Sequence, residues 1–197
     1  MATKVKLKDV RLSFPDLFEP VQYQGKGAFR YNASFLIVRG SENDKAVNAA
    51  IKAEVAAEFP DPVKAAKFLE SVKGNSNKMC YTSGDLKEYE GYAGMVVLTS
   101  HRQQKAGRPT VIDGNKAPLT AQDGKPYAGC YVNASVDIYV QTGENPGIRC
   151  GLAGVQFSKD GDAFSGGRAA SPDEFEDIAD GAQAGAPGGD ASDDSLA

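Results

Sequence analysis

Apolar and polar residues alternate with a period of two over much of this chain, the signature of strands with one buried face. Val5 and Leu7 alternate with Lys4, Lys6 and Lys8. The phase slips near Asp9, after which Val10, Leu12 and Phe14 resume it, so a bulged strand is expected. Residues 28–38 predict a second strand, with Phe29, Tyr31, Ala33, Phe35 and Ile37 on the core side and Arg30, Asn32 and Ser34 opposite. Residues 95–100 form a short apolar run, and 109–113 a further short candidate. The clearest strand is 130–141: Cys130, Val132, Ala134, Val136, Ile138 and Val140 face one way, Tyr131, Asn133, Ser135, Asp137 and Tyr139 the other. Residues 148–157 close the set.

Helical periodicity is confined to the middle. Ser41 and Asp44 suit the start of a helix, and Val47, Ala50, Ile51 and Val55 follow as one stripe. Pro60 and Pro62 stop that helix, and Pro62 opens a second one running to Val72, with Gly74 suited to its end. One or two helices among at least five strands predict a mainly β fold, an OB-fold-type five-stranded antiparallel barrel with a helical insertion; a sandwich is the second choice. Residues 102–126 read as a long polar loop containing Lys105, Arg108, Lys116 and Lys125, and loops of that length are often functional.

Charge changes the picture. The chain has 26 acidic and 22 basic residues, a nominal net charge of −4. Eight of the acidic residues and none of the basic ones fall in its last 27 positions, leaving 18 acidic against 22 basic in the rest. A mildly basic body (1–168) with an acidic, disorder-prone tail (169–197) suits nucleic-acid binding, since the tail can compete with phosphate for the same surface. There is no apolar leader and no run near the roughly 18 apolar residues of a membrane span, so a soluble, intracellular protein is expected. Cys80, Cys130 and Cys150 are odd in number and widely spaced, as reduced buried thiols would be.

Enzyme readings find little support. His101 is the single histidine, and neither a nucleophile elbow, nor a phosphate-binding Gly-Lys-Ser/Thr loop, nor an H-E-x-x-H pair is present. The Cys/His set lacks close ligand spacing for zinc, and Asp160-Gly-Asp162 lacks the later ligands of a calcium loop. No metal, cofactor or catalytic residue is expected. Binding of single strands, by contrast, needs cations that track phosphates and aromatic rings on which any base can stack. Eight Tyr and nine Phe supply rings. Tyr131 lies on the polar face of the best strand, Tyr127 just before it, and Tyr81 beside Lys78; Arg30, Lys78, Arg102, Lys105 and Arg108 are the candidate phosphate contacts. Tyr89, Tyr92 and Tyr139 are weaker candidates, while Phe29, Phe35 and Phe157 fall on core phases. A virion or scaffold component would explain the strands but not the charge split.

At 127–136, 147–157 and 159–164, together with 27–35, the sequence resembles a phage single-stranded-DNA-binding protein family, over roughly residues 3–168. The resemblance implies an OB-fold, action in the cytoplasm of an infected bacterium, a role in phage replication or recombination, and an acidic tail contacting replication proteins. Tails of relatives end in acidic residues and a terminal Phe, whereas this one ends Asp193-Asp194-Ser-Leu-Ala; Asp173, Glu174, Phe175, Glu176, Asp177 and Ile178 form the alternative docking segment.

Overall fold

The computed structural model describes residues 2–23 and 25–164. The tail candidates Asp173, Glu174, Phe175, Glu176, Asp177, Ile178, Asp193 and Asp194 lie outside the described residues. Among the described residues seven strands run in chain order: β1 (Thr3–Tyr23), β2 (Lys26–Val38), β3 (Tyr81–Ser83), β4 (Met95–Gln103), β5 (Thr110–Ile112), β6 (Tyr131–Gln141) and β7 (Gly147–Lys159). Helices α1 (Glu42–Glu58) and α2 (Pro62–Val72) lie between β2 and β3. Antiparallel pairing joins β4 to β2, β2 to β1, β1 to β6 and β6 to β7; a parallel contact between His101 of β4 and Gly151 of β7 closes the ring. Five strands therefore form a closed barrel of OB type, with β1, β2, β4, β6 and β7 as its first to fifth strands. The helical insertion separates the second barrel strand from the third.

Sequence explains the local features. β6 keeps strict alternation, with Val132, Ala134, Val136 and Ile138 buried and their neighbours half-exposed. The slip in β1 is a bulge between Leu7 and Val10: Asp9 has φ 50°, and its amide donates to the Asn133 side-chain oxygen. Ser41 caps α1 by accepting from the Asp44 amide, while the Asp44 carboxylate accepts from the Gly40 amide. Pro62 opens α2 behind the Asp61 cap, and Gly74, at φ +72°, lies just beyond its end. Val47, Ala50, Ile51 and Val55 of α1 complete the barrel core around Phe35, Ile37, Leu98 and Ile138.

Two expectations fail. Phe29, on the core phase of β2, is 45% exposed, because the first part of β2 pairs only with the last part of β1 and projects as a hairpin past the core. Phe14 is 53% exposed: a second left-handed residue, φ 47°, turns it out of phase with Leu12. The short candidate at 109–113 forms β5 inside the 102–126 segment, pairing parallel to β7, with the 3-10 turns Gln104–Ala106 and Ala121–Asp123 flanking it.

Candidate nucleic-acid interface

The predicted residues separate into two groups. Arg30 lies opposite Gln103 on β2 and β4, and Tyr31 opposite Arg102, so the start of β2 and the end of β4 bring these cations to one end of the barrel. Arg30, Lys105 and Arg108 are exposed. The Arg108 guanidinium lies 5.6 Å from the Phe18 ring centroid. Arg102 has a structural role. Its guanidinium donates to the carbonyls of Ala106 (2.6 Å) and Gly107 (2.8 Å) and folds the loop carrying Lys105 back onto the barrel.

Across the same outer face stands His101, opposite Asn32 on β2 and Gly151 on β7. Burial, then the charges of Arg30 and Arg149, hold its imidazole below the ordinary value. Arg149, on β7 opposite Tyr139, donates to the carbonyls of Asn77 and Asn145 and so fixes the loop between β6 and β7. Lys78 is half-buried, and its carbonyl accepts from the Ile148 amide at 2.8 Å, which pins its loop beside Arg149. The outer face of the second and third barrel strands, bordered by the 1–2 and 4–5 loops, is where OB-folds hold oligonucleotides. Here Arg30 and Arg149 stand on that face, with Asp16 bonded to Asn32 between Arg30 and the start of β1's paired run.

Tyr127 and Tyr131 lie elsewhere. Arg11 of β1 pairs with both Leu36 and Tyr131, so Tyr131 sits level with a point six residues beyond Arg30 on β2, about 20 Å along the strand. Lys159 Nζ is 4.7 Å and Arg11 Cζ 5.8 Å from its ring centroid, and a Cβ on Gly161 would come within 3.0 Å of the ring. The Tyr127 hydroxyl is 2.9 Å from an Asp160 carboxylate oxygen and accepts from the Gly161 amide at 3.2 Å. Residues 160–164 thus fold back over β6: Phe164 donates its amide to the Ala128 carbonyl and stacks under Arg11 at 4.5 Å. Tyr81 is a correction. It is 8% exposed and donates its hydroxyl to Asp44 at 2.8 Å, so neither ring face is open to a base. Burial first, then Asp44, push its hydroxyl pKa up.

Sequence reasoning did not single out Arg11, Arg149 or Phe14, and it ranked Tyr89 low. Phe14 and Tyr89 stand on the outer face, 53% and 51% exposed, with ring centroids 5.0 Å apart at 69°. Sequence carries no local signal for the exposure of Phe14, which continues the spacing of Val10 and Leu12 and stands before Pro15, where an extended residue is the ordinary expectation. Among the described residues no three His, Cys, Asp or Glu side chains group as a metal site requires. Burial pushes the thiols of Cys80 and Cys130 up, to about 12 and about 11, so both are protonated and unreactive. No helix among the described residues is long and apolar enough to cross a membrane.

Known proteins share this architecture. A single-stranded-DNA-binding protein from bacteriophage Enc34, in complex with single-stranded DNA, superposes with a TM-score of 0.67 at 19% identity, over 82% of this chain and 89% of that one. The gp2.5 single-stranded-DNA-binding protein of bacteriophage T7 gives 0.52 at 14% identity, over 94% and 100%. At those identities the likeness concerns the fold. In sequence, the chain is 47% identical over 177 residues to putative protein p50 of Acyrthosiphon pisum secondary endosymbiont phage 1, covering 89% of this chain and 94% of that one. The model of the family described as Enterobacter phage Enc34, ssDNA-binding protein, matches residues 3–185. With a closed barrel of the same architecture and a family match over nearly its whole length, this chain belongs to the Enc34 single-stranded-DNA-binding protein family.

Proposed function

We propose that the protein binds single-stranded DNA, without catalysis or cofactor and with little sequence preference, on the outer face of β2 and β4. The observation that carries the reading is the grouping of Arg30 and Arg149 on either side of His101, with Lys105 on the loop that Arg102 folds back and Arg108 beside Phe18, around the surface where an OB barrel takes oligonucleotides; Lys78 is proposed as a further contact from its loop beside Arg149. Arg102 acts by holding the Lys105 loop in place. The cations neutralise phosphates and release counterions, which gives affinity without reading bases. Tyr127 and Tyr131 stand at the far end of the path, where stacking on Tyr131 requires Arg11 or Lys159 to leave its ring.

The remaining parts of the reading follow from charge and family. Residues 1–168 are the DNA-binding unit. Residues 169–197 are a tail whose eight carboxylates compete with DNA for the binding face, and whose Asp173, Glu174, Phe175, Glu176, Asp177, Ile178, Asp193 and Asp194 recruit replication proteins. The setting is phage DNA replication or recombination in the cytoplasm of the infected bacterium. The test is fluorescence anisotropy of a labelled oligo-dT about 30 nucleotides long, titrated at several salt concentrations, with duplex of equal length as competitor. Tight binding that prefers the single strand and weakens by a slope of about 0.7 per phosphate contact is expected. Absence of binding at low salt, with or without the tail, would overturn the proposal.

A further inference from the structure

Phe14 and Tyr89 are large rings that a soluble fold ordinarily covers, yet each is more than half exposed. Their exposure is built in. The Phe14 backbone is held left-handed at φ 47°, a costly state for an aromatic residue, and the strain is not offset by burial of the ring. Beneath them, Tyr92 is 1% exposed; it packs on Leu36, Val97, Met95 and Phe164, with its hydroxyl 3.1 Å from Ser13 Oγ. Tyr92 meets Tyr89 at 5.3 Å and Phe14 at 6.5 Å, both edge-to-face.

The loop carrying Tyr89 is pinned at both ends. The Asp85 carboxylate accepts from the Gly94 amide at 2.7 Å and pairs with Arg39 at 3.1 Å. Gly91 has φ +77°, and a Cβ there would meet the Phe164 ring at 2.7 Å, so the loop packs directly on the barrel. Two exposed rings on a rigid base lose little entropy on binding a flat partner.

We infer that the Phe14–Tyr89 pair is a base-stacking platform, the site on this protein that takes an unpaired nucleobase. This rests on the proposed binding of single strands. Position argues for a nucleobase over a protein side chain. Phe14 follows Ser13, which pairs with Ser34, and Ser34 lies four residues from Arg30 on the same face of β2, about 13 Å along the strand. Polar Asn32, Asp16 and His101 occupy the interval. A strand whose phosphates lie on Arg30, Lys105 and Arg108 therefore reaches the rings within a few nucleotides. A stacking platform is tolerant of base identity, since every base has a π-face.

The chain contains no tryptophan, so Tyr89→Trp installs a single reporter. Titrating that variant with oligo-dT should quench and shift its emission with the same midpoint as anisotropy. Phe14→Ala and Tyr89→Ala, each checked for an unchanged melting profile, should weaken binding between about fivefold and a hundredfold at unchanged salt slope, as loss of one stacked base does. Tyr89→Leu, which keeps apolar area but loses the ring face, should fall with the alanine variants. If the wild type binds and the introduced indole stays unquenched while the alanine variants bind like wild type, the platform is refuted and the binding face stands. If the wild type itself does not bind, the failure lies with the proposed function, and the platform falls with it. Should one alanine variant unfold, the other and the indole signal decide.

Discussion

Removing the three exposed cations Arg30, Lys105 and Arg108 by substitution with Gln makes the sharpest test of where phosphates lie. Arg102 is left intact, because its guanidinium is bonded to the Ala106 and Gly107 carbonyls and its loss would release the loop under study. Each direct phosphate contact contributes about 0.7 to the dependence of log K on log salt for a single strand, so the triple variant should be shallower by about 2.1. Taking contacts as negligible near 1 M, binding should fall about 100-fold at 0.1 M salt and about 10-fold at 0.3 M. Anisotropy titrations at four or more salt concentrations read both quantities. As a control, Lys45→Gln and Lys73→Gln remove cations on α1 and just past α2 that are paired with Glu42 and Glu70; they should leave the slope unchanged. A parallel drop in affinity with no change in slope would mean that the three residues act through folding. An unchanged isotherm would place the phosphates elsewhere.

Other consequences follow. Truncation after residue 168 should tighten binding at low salt and converge on the full chain near 0.5 M, where screening confines interactions to a few ångströms (about 4 Å); equal affinity at low salt would refute tail competition. Tyr81→Phe should cost about 1 kcal/mol of stability through its lost bond to Asp44 and leave DNA affinity unchanged, read by denaturant melts and anisotropy. The depressed His101 means that the unfolded chain binds a proton the folded one refuses, so stability should fall as pH drops below about 6.5. A phosphate beside His101 has the opposite sign: it favours the imidazolium, so affinity should rise from pH 7.5 to 5.5 in the wild type and stay flat in His101→Gln. Gly129→Ala, at φ +102° with its new Cβ overlapping the Asp162 carbonyl, should displace residues 160–164 and expose Tyr131, measurable as faster amide exchange of Phe164.

Much of the barrel was legible because its signals are local. The alternation of β6, the bulge at Asp9 and the Ser41–Asp44 cap each sit within a few residues of what they determine. Periodicity assigns a side chain to a face but does not say whether that face is covered. Phe29 shows the difference: its phase is inward, yet no core lies beneath that part of β2. Tyr127 and Tyr131 show the converse, since residues 160–164 return from more than 25 positions away to lie against them. Closure by His101 and Gly151, and the parallel pairing of β5, join segments that share no pattern in sequence. The candidate cations at the hairpin end are named from charge and face alone; Phe14 is not, because it continues the β1 core stripe, and Tyr89 ranks below Tyr131, Tyr127 and Tyr81 because its exposure is set by how its loop packs.

The pairing of β1 with β6 has a consequence for synthesis. Lys6 pairs with Ser135, so the outer edge of β1 waits for a strand made about 130 residues later, a delay of roughly 6–26 s at ordinary bacterial translation rates of about 5–20 residues per second. During that interval residues 3–10 of β1, which pair with β6 and lie beyond the β1–β2 register that begins at Arg11, present an unpartnered edge at the ribosome, where neighbouring nascent chains carry the same edge. Lys4, Lys6 and Lys8 repeat a positive charge at every second position along it, and the bulge at Asp9 breaks its straight run. Both devices disfavour edge-to-edge association. The lysines at the start of the chain thus guard against the chain's own copies until β6 emerges.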